Sequence, residues 1–110
     1  MMITIDLARD FSRTPFGRYL SDSPNSAEKF RDDFLLPAFT KRPVEKVVVD
    51  FSGISMGLGS SFLEEAFGGL VRQGVPAKLI IDNLEIKSRL PIYTKQITEY
   101  VLAAEHEAKA

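Results

Sequence analysis

Val47-Val48-Val49-Asp50-Phe51-Ser52-Gly53 is followed, after Ile54-Ser55-Met56-Gly57-Leu58-Gly59, by Ser60-Ser61-Phe62-Leu63-Glu64-Glu65-Ala66-Phe67-Gly68-Gly69-Leu70. Three consecutive β-branched apolar residues suit a strand buried on both faces, as in a parallel sheet with helices on each side. The strand is expected over 44–51. Phe62, Leu63, Ala66, Phe67, Leu70 and Val71 recur at helical spacing, which predicts a helix over 60–73 with Gly74 as its stop. Strand, glycine-rich loop and helix in that order are the core of an α/β crossover unit.

Outward from this unit, Ile3, Ile5 and Leu7 alternate with polar residues and predict a half-buried strand. A second short strand is expected at Arg18-Tyr19-Leu20-Ser21, pairing back after the turn residues Pro15 and Gly17. Ser23 or Asn25 opens a helix whose apolar face is Phe30, Phe34 and Leu35, and Pro37 should end or bend it near Leu36. Leu79-Ile80-Ile81 repeats the buried-strand pattern and predicts a strand over 77–82. Ser88 caps a last helix with Pro91 in its first turn and Ile92, Ile97, Val101 and Leu102 on one face. The tail from His106 to Ala110 is expected to fray. The fold class is α/β: a mixed sheet of about four strands with about three helices and a right-handed crossover in the later half. One domain fills 1–110, with a core over 3–102 and a tail over 103–110.

Composition excludes whole classes. The 110 residues contain no cysteine and one histidine, His106. Thiol catalysis, disulfides, zinc fingers and iron–sulfur sites therefore have no ligands, and no metal or other cofactor is expected. Fourteen basic against 15 acidic side chains give a net charge of −1, without the basic excess of a nucleic-acid binder. No apolar run reaches membrane-span length, and Met1 to Asp6 lacks the start of a signal peptide. The expectation is a soluble, cytoplasmic chain with no membrane partner.

Candidate functional residues gather after the central strand, because sites in open α/β sheets lie beyond the carboxyl ends of strands. A helix N-terminus there carries free N–H groups and partial positive charge. Several motifs then make a resemblance: Pro15-Phe16-Gly17-Arg18, Ser26-Ala27-Glu28-Lys29-Phe30-Arg31, Asp50-Phe51-Ser52-Gly53 and Ser60-Ser61-Phe62-Leu63. Together they resemble the STAS-like family of unknown function, related to the STAS (sulphate transporter and anti-sigma-factor antagonist) domain. The resemblance runs over about 3–101. It implies a signalling module of bacterial type that works by partner switching. By that resemblance it is expected to dock on a histidine-kinase-like ATPase or anti-sigma-type protein and to be released by phosphorylation of a serine, here Ser61. The flanking positions are Gly59 and Phe62 where those proteins have aspartate and glycine.

The residues themselves leave alternatives open. Ser61-Phe62-Leu63-Glu64 also reads as a capping box, in which Ser61 is a structural cap; Ser60 is then the alternative phosphoacceptor. Ser55, Met56, Gly57, Leu58, Gly59 and Ser60, with Glu64 and Glu65 in the first helical turn, are candidate partner contacts. Met56 and Leu58 either face a partner or tuck over the sheet end. Glu64 and Glu65 point about 100° apart and cannot form a facing acid–base pair, so they are expected on a solvated turn. Asp50 reads as a turn-forming aspartate. Arg18 either clamps an anion or pairs with an acid, and Arg31 is expected at the surface. Gly68-Gly69 should allow close approach of a neighbouring element. Gly57-Leu58-Gly59-Ser60-Ser61-Phe62 only half-matches a dinucleotide fingerprint. No nucleophile–base pair is visible, so an enzyme is not expected. A small-ligand or nucleotide sensor using the same loop and helix N-terminus is the alternative.

Overall fold

The computed structural model describes residues 2–109. Strand β1 (Met2–Asp6) runs into a helical turn, α1 (Leu7–Phe11), where Asp6 accepts a hydrogen bond from the Arg9 N–H. A loop leads to α2 (27–40), and then come β2 (Lys46–Asp50), α3 (60–72), α4 (Ala77–Asn83), β3 (Leu84–Lys87) and α5 (Ile92–Lys109). Among the described residues these make a small α/β domain of five helices and one three-stranded sheet. The strand order is β1-β2-β3 and both pairings are parallel.

Two expectations need correction. Arg18-Tyr19-Leu20-Ser21 is a turn, so the sheet is parallel and not mixed. The Asp22 carboxylate accepts from the Arg18 and Tyr19 N–H groups, and Gly17 turns the chain at φ +88, which closes a local loop where a hairpin would need an extended strand. Leu79-Ile80-Ile81 lies in α4, and the third strand follows it. A short apolar run has no periodicity that separates strand from buried helix. Here Ala77 and Ile80 share the buried face, and Lys78–Asp82 at 2.9 Å and Asn83 bonded to the Leu79 carbonyl supply helical i,i+4 links. Helix α2 passes through Pro37. The Leu36 N–H reaches back five residues to the Arg31 carbonyl, a widened turn just ahead of the proline.

Smaller differences concern helix ends. Ser26, not Ser23 or Asn25, caps α2 and accepts from the Lys29 N–H. Ser88 accepts from the Leu90 N–H in a turn that precedes α5 and does not cap it. Helix α5 continues to Lys109, so most of the expected frayed tail is helical; Ala110 lies outside the described residues.

Register explains the layers. Ile3, Val47 and Leu84 sit side by side, as do Ile5, Val49 and Ile86. This face meets Phe30, Phe39, Phe62, Phe67, Ile97 and Val101 in one apolar core. The other face carries Thr4, Val48 and Glu85 abreast. Val48 is only 2% exposed but stands outside the core cluster, with a Lys46–Glu85 ion pair of 2.7 Å on its face. The valine run is thus buried throughout, although one of its two faces belongs to a polar surface.

Candidate functional site

The loop after β2 is pinned at alternate points. Asp50 accepts from both the N–H and the hydroxyl of Ser52, at 2.8 and 2.6 Å, which forms the turn and holds its carboxyl below the usual range. Phe51, Ile54 and Leu58 turn into the core. The Leu58 N–H donates to the Tyr93 hydroxyl at 2.9 Å, tying the loop to α5. Between these anchors Ser55, Gly57 and Gly59 are exposed, and Met56 is 67% exposed. The two residues left open by sequence therefore divide: Leu58 tucks over the sheet end and Met56 faces outward.

Met56 lines two hollows. One, of about 290 Å³, lies between this loop and residues 88–93, with Phe51, Ile54 and Tyr93 in its wall and Arg89 and Leu90 at its side. The other, of about 110 Å³, lies toward Phe16. Phe16 and Leu90 are themselves more than half exposed. The carboxyl end of the sheet thus presents exposed apolar side chains at Phe16, Met56 and Leu90 around these two hollows.

At the start of α3 the N-cap is Gly59, with no side-chain cap. The capping box is absent: Ser60 and Ser61 are exposed, and neither hydroxyl has a hydrogen-bond partner among the described residues. Glu64 is drawn elsewhere. Its oxygens accept from Arg18 Nη1 at 2.6 Å and from Arg72 Nη1 and Nη2 at 2.7 and 3.0 Å. The adjacent Glu65 is 6% exposed and accepts from Arg31 Nη1 at 2.6 Å, with Arg18 at 3.1 Å and Arg72 at 3.4 Å on its second oxygen. Charge-assisted bonds of this length outweigh any gain from reaching back to the helix start.

Glu64 and Glu65 are therefore not a solvated turn, and Glu65 is not accessible to a partner. They are the acidic half of a network whose bases are Arg18, Arg31 and Arg72. Arg18 is committed to these acids, which is the pairing alternative and not an open anion clamp. Arg31 is buried, not superficial. Its Nε also donates to Asp32. Arg72, and then Arg18, hold the Glu64 carboxyl below the ordinary glutamate range, although partial burial works the other way. Gly69 makes room for the network: a Cβ there would stand 2.7 Å from Arg31 Nη1 and 3.1 Å from Glu65 Oε2. A Cβ on Gly68 would meet Glu64 Oε2 at 2.5 Å and the Tyr100 carbonyl of α5 at 3.5 Å. The glycine pair serves close approach, as its sequence suggested.

The network latches the segment carrying Pro15, Phe16 and Gly17 onto α2 and α3. Arg18, Arg31, Arg72, Glu64 and Glu65 make that junction, and Gly69 leaves room for it. The matching family model settles what kind of domain this is: it describes a STAS-like domain of unknown function (DUF4325) and covers residues 26–88. The chain belongs to this STAS-like family. No curated protein and no solved structure matched. The STAS-like domain has no helix among its described residues that is long and apolar enough to cross a membrane. His106 lies exposed on α5, far along the helix from the loop that carries Met56.

Proposed function

We propose that this STAS-like domain is a non-catalytic interaction module. It docks on a histidine-kinase-like ATPase through residues 55–61 and the first turn of α3, and phosphorylation of Ser61 releases it. The observation that carries the reading is the pair of exposed, uncommitted hydroxyls on Ser60 and Ser61, beside the outward Met56. A hydroxyl that caps a helix is occupied by its own backbone; these are free for transfer, with Ser60 the alternative acceptor. A phosphate here gains from the helix N-terminus. The nearby acids do not oppose it strongly, because two glutamates are matched by three arginines. Exposed apolar side chains around a loop suit a protein partner. The resemblance to anti-sigma-factor antagonists supplies the class of that partner, and the buried, paired state of Glu65 argues against acid–base catalysis at this helix.

Ser61→Ala and Ser61→Glu test the switch in a binding assay with the ATPase. Without ATP the alanine variant should bind as the native chain does; with ATP it should stay bound while the native chain is released, and the glutamate variant should bind at least tenfold more weakly under both conditions. Equal binding by both would refute the switch. A second reading rests on the 290 Å³ hollow, whose aromatic wall and flanking Arg89 suit a small anionic ligand such as a nucleotide. Calorimetric titration with nucleotides separates the two: a flat trace removes this reading.

A further inference from the structure

Strand β3 is an edge of the sheet, paired on one side only. The Phe51 N–H donates to the Lys87 carbonyl at 2.8 Å, so Lys87 turns its backbone groups toward β2. Alternation along a strand then directs those of Ile86 outward, free to pair with another strand. Beside this edge runs an apolar groove of about 260 Å³, walled by Ile81, Leu84 and Ile86 on one side and by Ile97 and Val101 of α5 on the other. Ile81 and Leu102 are 40% and 47% exposed nearby. The edge has no proline and no bulge, and its one lysine is the usual guard against edge pairing.

That guard is answered by an acid on the same strand. Glu85 and Lys87 lie on the polar face, two residues apart, with Ile86 between them on the core face. In an antiparallel pair of two β3 strands, Ile86 can only lie opposite Leu84, Ile86 or Ser88 if outward groups are to meet. The first choice sets Glu85 against Glu85; the third sets Lys87 against Lys87 and pairs Ile86 and Glu85 with Ser88 and Arg89, which lie beyond the strand. Ile86 against Ile86 sets each Glu85 opposite the other copy's Lys87, twice over. Like charges directly opposite are unfavourable and opposite charges favourable, so charge selects a single, two-fold symmetric register. The β1 edge offers no such match, since Thr4 and Asp6 supply an acid and no base on the corresponding face.

We propose that the occupant of the β3 edge is a second copy of this chain. Two domains join β3 to β3, antiparallel about Ile86, into one continuous six-stranded sheet. The two-fold axis passes between the Ile86 residues, and the grooves beside α5 close against each other. This contact lies at the sheet edge and leaves Ser61 and Met56 outside it.

The test is sedimentation equilibrium on the full chain and on three charge variants, with circular dichroism to check the fold. Glu85 is partly exposed and paired with Lys46, Lys87 is exposed, and both lie on the polar face, so reversal leaves the core untouched, although Glu85→Lys also breaks the Lys46 pair. The native chain should dimerise. Glu85→Lys and Lys87→Glu should each weaken the dimer at least tenfold, by setting lysine against lysine or glutamate against glutamate. The double variant restores opposite charges and should restore the dimer. A native chain that stays monomeric through the high-micromolar range overturns the proposal. So does a dimer indifferent to the single reversals, or one that the double reversal fails to rescue.

Discussion

At Glu65 the two carboxylate oxygens are divided among arginines from three parts of the chain: Arg31 holds one, and Arg18 and Arg72 share the other. The Arg31–Glu65 contact is almost fully buried, whereas Arg72 is 38% exposed. Removing one partner of a buried pair leaves a charge without water or counterion, which typically costs about 3–5 kcal/mol. Arg31→Met should therefore lower stability by about 3 kcal/mol, near the bottom of that range because Arg18 and Arg72 remain. Arg72→Met should cost about 1 kcal/mol or less. Urea unfolding of both variants checks the ranking; equal losses would contradict it. Glu64 gives the pH dependence. Its folded-state pKa is depressed, so its contribution is fully present above the unfolded value near 4.5 and is lost as pH falls through the folded value. The urea midpoint should drop below about pH 4.5, and Glu64→Gln should flatten that part of the curve while Asp50 and Glu85 continue to act in both proteins. Sequence showed these charges but not their pairing. Arg18 and Glu64 stand 46 residues apart, and only the fold makes them neighbours. The one local clue was Gly68-Gly69, two glycines in a helix where alanine would be preferred by about 1 kcal/mol each.

At the scale of elements, the two serine-led helices differ. Ser26 is fully buried and caps α2, whereas α3 starts at Gly59 without a side-chain cap. Ser26→Ala should cost about 1 kcal/mol, and Ser61→Ala should stay within about 0.5 kcal/mol of the native chain. Thermal or urea unfolding distinguishes them, and a loss at Ser61 equal to that at Ser26 would return it to the role of cap. Legibility followed the strength of each pattern. Alternation in Ile3 to Leu7 and the valine run located β1 and β2, and long helical periodicity located α2, α3 and α5 to within a few residues. Leu79-Ile80-Ile81 failed because three apolar residues fit either state. The alternation Leu84-Glu85-Ile86-Lys87 is the better strand signal, since its apolar residues keep to one face. At Arg18 to Ser21 a side chain, Asp22, decided the local geometry through bonds that no periodicity displays.

For the whole molecule, the two proposed contact surfaces lie at different places on the sheet, one at its carboxyl end and one at the β3 edge. The arginine–glutamate latch fixes the segment carrying Phe16 beside Met56 at the carboxyl end, while the β3 edge lies free for self-association. The loop location was readable, because it follows the strand ends. The exposure of Met56 against the burial of Leu58 was not, since it depends on the hydroxyl of Tyr93, 35 residues on in sequence. Met56→Asp should leave stability within about 0.5 kcal/mol, since the side chain contributes little to the core. It should nevertheless abolish docking. The most direct measurement is therefore parallel affinity purification of the tagged native chain and tagged Met56→Asp from native cells, with mass spectrometry of what co-purifies. The account predicts a stoichiometric ATPase with the native chain and its loss from the variant. The same ATPase retained by Met56→Asp, or no ATPase with the native chain, would contradict it.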